Sequence, residues 1–558
     1  MRAADDTSLL ARWSGWIVAT AAVVASSLIF HAARGTSFFL DEWWFITERR
    51  DASLDDFLRP HFGHLIAIPV AIYKVLFATF GLRSYQPYLI VLVAIHVLTC
   101  ALLYVYLRRR GPVLYALVAT ILMLFLGHAW EDLIWPFNIT YLLSAATGVA
   151  ALLLLDRRDR LGDVAATAAL AVSISSSGMG LVFAGGVLVE LLWTRRDWRR
   201  LWIVAAPAAA YALWYVNYEV PQGSLDNLTK FDPFTTRLAG ETSRSLLGTS
   251  VGLGQIVVVL FVAAVGVQVV RTWPISGRVA NSIAMLGGYW VLLTYTRGGD
   301  QFFGRYTYLS ALLVLLVVGE LVTTWRPIAV RSRAVTLVGG AALLLLLGYS
   351  LVNSGEALAN GGAERRAAAI KQHAAFSSLV LAKDRATSET PIWWLFPDGP
   401  NAAGVIDAVA DLDFPVFSSA ELLQQPEVAR RAADEQLFAV LGGLDLFSRD
   451  LASDGLRGLA PVGGTLTSGG ACVTFTPNAP DAHLDLTGDE IGVRIEAIGS
   501  DPVDVGARSI SDGYRGQPSF SVQPGIPRDL ALRANGLKPW TLRLRSSDAL
   551  RACAVHGS

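Results

Sequence analysis

Apolar stretches of near-constant length alternate with short polar connections over the first two-thirds of the chain. They are Trp13–Ala33, Pro87–Leu107, Val113–Gly127, Ile139–Leu155, Val164–Ser175, Met179–Trp193, Leu201–Asn217, Val251–Val270, Ala280–Thr296, Tyr306–Val322 and Ala334–Asn353. About 20 residues at 1.5 Å rise cross a bilayer core, so this pattern predicts a polytopic α-helical membrane protein with about eleven transmembrane helices. Val164–Ser175 and Met179–Trp193 are short, and the Ser/Gly turn Ser175–Gly178 parts them as it would two half-helices. Trp13–Ala33 is too long for the apolar region of a signal peptide and reads as a retained anchor. A twelfth apolar stretch, His64–Gly81, carries Pro69 and Lys74. Counting it as a span would put Arg108–Arg110 outside, so it is placed as an interfacial or re-entrant helix within a first outer loop, 34–86.

Beyond Gly355 the pattern turns polar. Residues 361–383 read as a surface helix and Glu421–Leu441 as another; from Gly470 onward short runs divided by turn residues read as strands: Ala471–Thr476, Ile491–Ala497, Ser519–Gln523 and Trp540–Leu544. Three parts follow: a membrane domain, 1–353; an extracytoplasmic mixed α/β region, 354–469; and a small β-sandwich, 470–558. Cys472 and Cys553 lie near the two ends of the sandwich, where a disulfide would staple its first and last strands in an oxidising compartment. Trp540 and Tyr514 are the residues there that suit carbohydrate binding.

Composition sharpens this picture. The 558 residues are 53% hydrophobic and only 16% charged, which excludes a single soluble domain. Net charge is zero, and no nucleic-acid footprint is present. Yet residues 1–353 hold 28 Lys and Arg against 21 Asp and Glu, while 354–558 hold 18 against 25. Basic loops stay on the cytoplasmic side. With the N-terminus inside, every inner loop is basic and the acidic C-terminal part lies outside, which predicts a multi-pass protein of the cytoplasmic membrane.

Ionisable residues set against hydrocarbon are costly unless they work or pair, and three clusters stand out. Asp41 and Glu42 lie inside Phe38–Phe45, an otherwise apolar run. Burial and mutual repulsion suit one of the two to act as a base; the plain alternative is a helix-capping acid among membrane-anchoring aromatics. His61 and His64 open the interfacial stretch, and His128, Glu131 and Asp132 fill the next outer loop, which has no Lys or Arg. These groups could form a polar pocket or a divalent-metal site (Mg or Mn), although their spacing is not diagnostic. Arg297, Arg305 and Tyr306 cluster before the tenth stretch, on the side that basic residues normally avoid. A planar guanidinium at a helix start suits a phosphate; a salt bridge to Asp300 is the alternative.

The order of these features resembles the GT-C superfamily of integral-membrane glycosyltransferases: an acidic pair after the first span, an interfacial helix opening at a His, a second span ending in Arg108–Arg110, and a large outer C-terminal part. Phe38–Arg110 carries most of the likeness, which in layout is similar to the protein O-mannosyltransferases, the aminoarabinose transferases of lipid A and the actinobacterial arabinofuranosyltransferases. The strong bias to Arg over Lys, 41 against 5, fits such a GC-rich source. The resemblance implies a GT-C-like fold. It also implies transfer of a sugar from a polyprenyl-phosphate donor to an envelope glycan, lipid or protein acceptor at the outer face of the bilayer. It places the general base on Asp41, with Glu42 as the neighbouring alternative, and the donor phosphate on Arg305, with Arg297 second. Glu131 and Asp132 match the family's second acidic position, which orients acceptor or binds metal in some members. The chain lacks an Asp-x-Asp pair, so metal dependence stays open. A transporter or flippase for a lipid-linked precursor is the rival, but the two halves show no repeat of the 41–64 motifs of the kind transporters usually carry. A non-catalytic envelope scaffold is the third reading, and it needs fewer spans than these.

Overall fold

The computed structural model describes residues 9–51, 53–193, 198–218, 223–298, 302–323, 333–392, 400–444, 456–513 and 520–555. In chain order the helices are α1 (Leu9–Ala32), α2 (Asp41–Glu48), α3 (Leu54–Leu58), α4 (Ala67–Phe80), α5 (Gln86–Arg108), α6 (Val113–Leu124), α7 (Trp130–Ile134), α8 (Ile139–Leu155), α9 (Arg160–Ser176), α10 (Gly180–Trp193), α11 (Trp202–Asn217), α12 (Phe231–Leu247), α13 (Val251–Arg271), α14 (Gly277–Arg297), α15 (Tyr306–Val322), α16 (Arg333–Leu381), α17 (Ala402–Asp411), α18 (Ser419–Leu423) and α19 (Glu427–Leu441). Each of the eleven expected apolar stretches falls on a helix. Among the described residues, six stretches are long and apolar enough to cross a membrane: Leu9–Ala32, Gln86–Arg108, Val113–Ile134, Pro136–Leu155, Val251–Arg271 and Leu337–Leu381.

The chain divides into two compact units. The first comprises residues 1–36, 49–79 and 85–366; the second comprises 37–48, 80–84 and 367–558. The expected boundary after Asn353 therefore lies inside α16, which runs unbroken through it. Its glycines serve close approach rather than a break. A Cβ at Gly361 would lie 2.3 Å from the Trp130 ring, and one at Gly362 would lie 2.3 Å from the Ala32 carbonyl oxygen. The segment read as a surface helix is in part buried, with Arg365 and Gln372 nearly inaccessible.

In the first unit α8 packs chiefly on α9 and α5, α10 on α14, α12 on α13, and α14 on α15. Between α11 and α13, where the chain carries no membrane-length apolar run, α12 is an amphipathic helix that buries Leu238 and Ala239 and stops at Gly248 in the left-handed region. The interfacial stretch is helical over 14 residues. Lys74, the charge that argued against a span, donates to the Arg49 carbonyl at 2.6 Å and to Asp56 Oδ2 at 3.0 Å.

In the second unit α2 packs against α17, and Trp43, fully buried, meets the rings of Phe376 and Phe414 edge-on at 4.6 and 5.2 Å. Among the described residues eleven strands form two sheets. They are β1 (Gly442–Leu444), β2 (Ala460–Val462), β3 (Gly464–Gly469), β4 (Cys472–Pro477), β5 (His483–Gly488), β6 (Ile491–Ala497), β7 (Val503–Arg508), β8 (Phe520–Val522), β9 (Arg528–Leu532), β10 (Trp540–Arg545) and β11 (Leu550–Ala554). One sheet has the order β1-β9-β6-β11-β4-β3 and the other β2-β5-β10-β7-β8. Every pairing is antiparallel. Alternate residues such as Val503, Val505 and Ala507 fill the core between the sheets. Cys472 and Cys553 form a disulfide. They sit directly opposite each other on β4 and β11, the first and last strands of 470–558, which are neighbours in the sheet. Trp540 is fully buried in this core and donates its indole N–H to the Arg533 carbonyl at 2.7 Å. That burial corrects its expected role as a carbohydrate platform, and Tyr514 lies outside the described residues.

Candidate functional site

In the first unit the local chain geometry begins at His61 and His64. Each backbone N–H donates to the other's carbonyl, at 3.0 and 2.9 Å. The two residues between them, Phe62 and Gly63, have φ of +44° and +80°. Positive φ at both central positions is the signature of a type I′ turn. The turn sets both imidazoles at the start of the segment leading into α4. His64 Nδ1 would lie 3.0 Å from a Cβ at Gly178, so the Ser175–Gly178 turn between α9 and α10 forms its wall. Burial pushes the His64 imidazole down to about 4, reinforced by the positive fields of Arg297, His61 and Arg305. His64 is therefore neutral near pH 7 and lies within electrostatic reach of two guanidinium groups.

Those guanidiniums come from the facing ends of two helices. Arg297 is the last residue of α14, and Arg305 immediately precedes α15. The Arg305 backbone N–H donates to Glu131 Oε2 at 3.0 Å, which ties the start of α15 to α7. Its guanidinium lies 4.6 Å from the centre of the Phe303 ring, 5.6 Å from that of Trp135 and 5.9 Å from that of Tyr306. Aromatic rings at these distances hold the charge by cation–π attraction. Tyr306 itself is buried. Trp135 also receives Arg365, at 5.6 Å, and Glu131 feels the fields of both Arg305 and Arg365. Arg365 was missed in the sequence because it sits in a run, Glu364-Arg365-Arg366, that reads as a solvated helix face.

The structure thus brings His61, His64, Glu131, Arg297 and Arg305 into one neighbourhood, and Asp132 lies within the fields of Glu131 and Arg305. Asp132 is fully buried within the bundle, whereas Glu131 is not; adjacent residues on a helix point about 100° apart, so they are not alternatives for one task. His128 is half-buried, and its side chain faces the field of Arg244 rather than those of the two arginines. Asp300, the expected salt-bridge partner of Arg305, lies outside the described residues. Among the described residues no three His, Cys, Asp or Glu side chains gather as metal ligands do.

In the second unit Asp41 and Glu42 form the first turn of α2. Leu40, just before them, holds φ at +44°, a conformation costing roughly 1–2 kcal/mol in a residue with a Cβ. The strained turn lets the Glu42 carboxylate accept the Phe39 N–H at 2.9 Å, while the Glu42 N–H donates to the Phe39 carbonyl at 3.1 Å. Glu42 is fully inaccessible, whereas Asp41 keeps a small exposed surface. Glu42 therefore closes the turn, and Asp41, 7% exposed, is the less deeply buried of the pair. Strained residues recur at functional sites; among the described residues, two of the four non-glycine residues with positive φ, Leu40 and Phe62, adjoin the predicted positions.

No protein-family model matches the chain, and no curated protein matches it. Among solved structures, the chain is similar to the arabinosyltransferase EmbB from Mycobacterium smegmatis, with 11% identity and a TM-score of 0.37. The match covers 96% of this chain and 64% of that one, so the chain spans less than two-thirds of the length of that protein.

Proposed function

We propose that the chain is an inverting membrane glycosyltransferase that moves a sugar from a polyprenyl-phosphate donor to an acceptor hydroxyl at the outer face of the cytoplasmic membrane. The observation that carries this reading is the pair of guanidiniums, Arg297 and Arg305, at the ends of α14 and α15 beside a neutral His64. Two neighbouring arginines, Arg305 among them held by aromatic rings, suit a phosphate whose lipid chain stays in the bilayer. The neutral imidazole can donate to a phosphate oxygen without adding a proton-dependent charge.

In this reading the Asp41 carboxylate takes the proton of the acceptor hydroxyl as that oxygen bonds to the anomeric carbon. The bond from the anomeric carbon to the phosphate oxygen breaks on the opposite side. Its electron pair leaves with the polyprenyl phosphate, and Arg305 and Arg297 neutralise the charge gathering there. Glu131 positions Arg305 through its backbone, and Glu42 positions Asp41 by closing the preceding turn. The test is transfer from a radiolabelled polyprenyl-phosphate sugar in membranes carrying the chain. Arg305→Ala should raise the donor KM about 10- to 100-fold, the worth of roughly 1.5–3 kcal/mol for charged hydrogen bonds, while the acceptor KM stays within twofold. Equal loss toward both substrates would refute the phosphate assignment.

A further inference from the structure

A cavity of about 460 Å³ lies in the first unit between α9, α11 and the segment 58–65, within the roughly 300–1,000 Å³ range of small-molecule sites. Its wall is an aromatic stripe. Tyr211, Trp214 and Tyr218 recur at i, i+3 and i+7 along α11 and the residue after it, so they share one face. Neighbouring ring planes differ by only 39° between Tyr211 and Trp214 and 32° between Trp214 and Tyr218, with centroids 5.2 and 6.1 Å apart. The polar edges of two rings are already engaged: Trp214 Nε1 donates to the Leu58 carbonyl at 2.6 Å, and the Tyr218 hydroxyl donates to Asp55 Oδ1 at 3.2 Å. These bonds fix the rings and turn their faces into a shallow platform. Ser175 and Asn217 add polar groups to the rim.

An aromatic belt at the membrane interface is the plain explanation of such residues. Belt residues face lipid, however, and here the outward face of α11 belongs to Leu213 and Val216, which are 67% and 74% exposed, while Trp214 is 7% exposed. A flat aromatic wall with a hydroxyl and amide rim fits a ligand with an apolar C–H face and polar edges. Sugar rings have that character; lipid chains do not. The cavity also adjoins the cationic cluster. Leu65, in its wall, follows His64 directly, and Ser175 lies in the last turn of α9, three residues before Gly178, against which His64 packs.

From this geometry we infer that the cavity is a sugar-binding subsite, in which a ring of the acceptor glycan stacks on the Tyr211–Trp214–Tyr218 platform with its chain passing His64. The assignment to the acceptor rests on the glycosyltransferase reading; the sugar site itself does not. The test uses the full chain in lipid nanodiscs, free of sugar detergents, and saturation-transfer NMR with the methyl glycosides of arabinofuranose, galactofuranose and mannopyranose as probes. At least one glycoside should receive saturation from the wild-type protein. The signal should fall at least fivefold in Tyr211→Ala and in Ser175→Trp, which fills the cavity, and should be unchanged in Leu213→Ala on the outward face. Circular dichroism and the unfolding midpoint check that each variant folds; should Ser175→Trp not fold, Ala210→Leu replaces it. No signal with any glycoside, or a signal that survives filling of the cavity, overturns the inference. Binding lost in the cavity variants of a chain that transfers no sugar would refute the transferase reading and leave the subsite standing. Transfer without glycoside binding would do the reverse.

Discussion

Replacing Arg110 by Met tests how the bundle that carries Arg297 and Arg305 is held together. Arg110 is buried just beyond α5, with its side chain 5% exposed. It pairs with Asp156, and its Nε lies 3.1 Å from Glu320 Oε1, while its guanidinium stacks 3.6 Å from the centre of the Tyr106 ring. Asp156 has a second cation, Arg278, at 2.6 Å, whereas Glu320 is left with the Tyr106 hydroxyl at 2.7 Å. The loss therefore falls mainly on Glu320, which is 5% exposed and whose ion-pair partner among the described residues is Arg110, with Arg278 acting on it only at longer range. Breaking a buried pair by removing one partner costs about 3–5 kcal/mol, most of it the uncompensated charge. Arg110→Met should accordingly lose about 3 kcal/mol. Arg110→Met with Glu320→Gln should recover to within about 1 kcal/mol of the wild type, because no bare carboxylate remains. The assay is denaturant unfolding in lipid nanodiscs followed by tryptophan fluorescence. A loss below about 1 kcal/mol in the single variant, or no recovery in the double variant, would refute the reasoning.

Two further outcomes follow from other parts of the chain. The His64 imidazole is lowered from 6.5 to about 4 in the folded chain, so the unfolded chain binds the proton first; stability is full above about pH 6.5, falls as pH drops toward 4, and loses about 3 kcal/mol in total. His64→Gln should flatten that part of the profile when unfolding midpoints at pH 7 and pH 5 are compared, and an unchanged slope would contradict the assignment. Gly361→Ala should destabilise by about 1–3 kcal/mol through overpacking against Trp130, whereas a Cβ at Gly348 of the same helix meets nothing within 4 Å, so Gly348→Ala should be neutral or gain up to about 1 kcal/mol; equal effects in the same unfolding assay would contradict the close approach.

The sequence made the helices legible because a bilayer-length apolar run has one stable solution, a helix whose backbone groups pair internally. Helix α12 escaped notice because its buried face is built from residues such as Leu238, Ala239 and Thr242 scattered among charges, a pattern that reads as loop when only continuous apolarity is scored. The unbroken α16 was hidden by Gly355, Gly361 and Gly362, which resemble breakers until the rings and carbonyls packed on the last two are seen. Adjacent motif residues, such as Asp41 with Glu42 and His61 with His64, were legible as pairs. The roles within each pair were not, since they depend on the left-handed turns at Leu40 and Phe62. The Tyr211–Trp214–Tyr218 stripe is local, but its orientation depends on the long-range bonds to Leu58 and Asp55, and Arg365 meets Trp135 across a long sequence separation.

The central claim is that Asp41 is the base of a sugar transfer, and the most direct measurement is the transfer rate of Asp41→Asn against wild type. Both chains would be inserted at equal levels in membranes supplied with a radiolabelled polyprenyl-phosphate sugar and an envelope extract as acceptor. The account predicts label in acceptor glycoside with the wild type and a rate at least 100-fold lower with Asp41→Asn, as expected for removal of a general base. Transfer by Asp41→Asn at the wild-type rate, or label crossing the membrane with no new glycosidic bond, would contradict it.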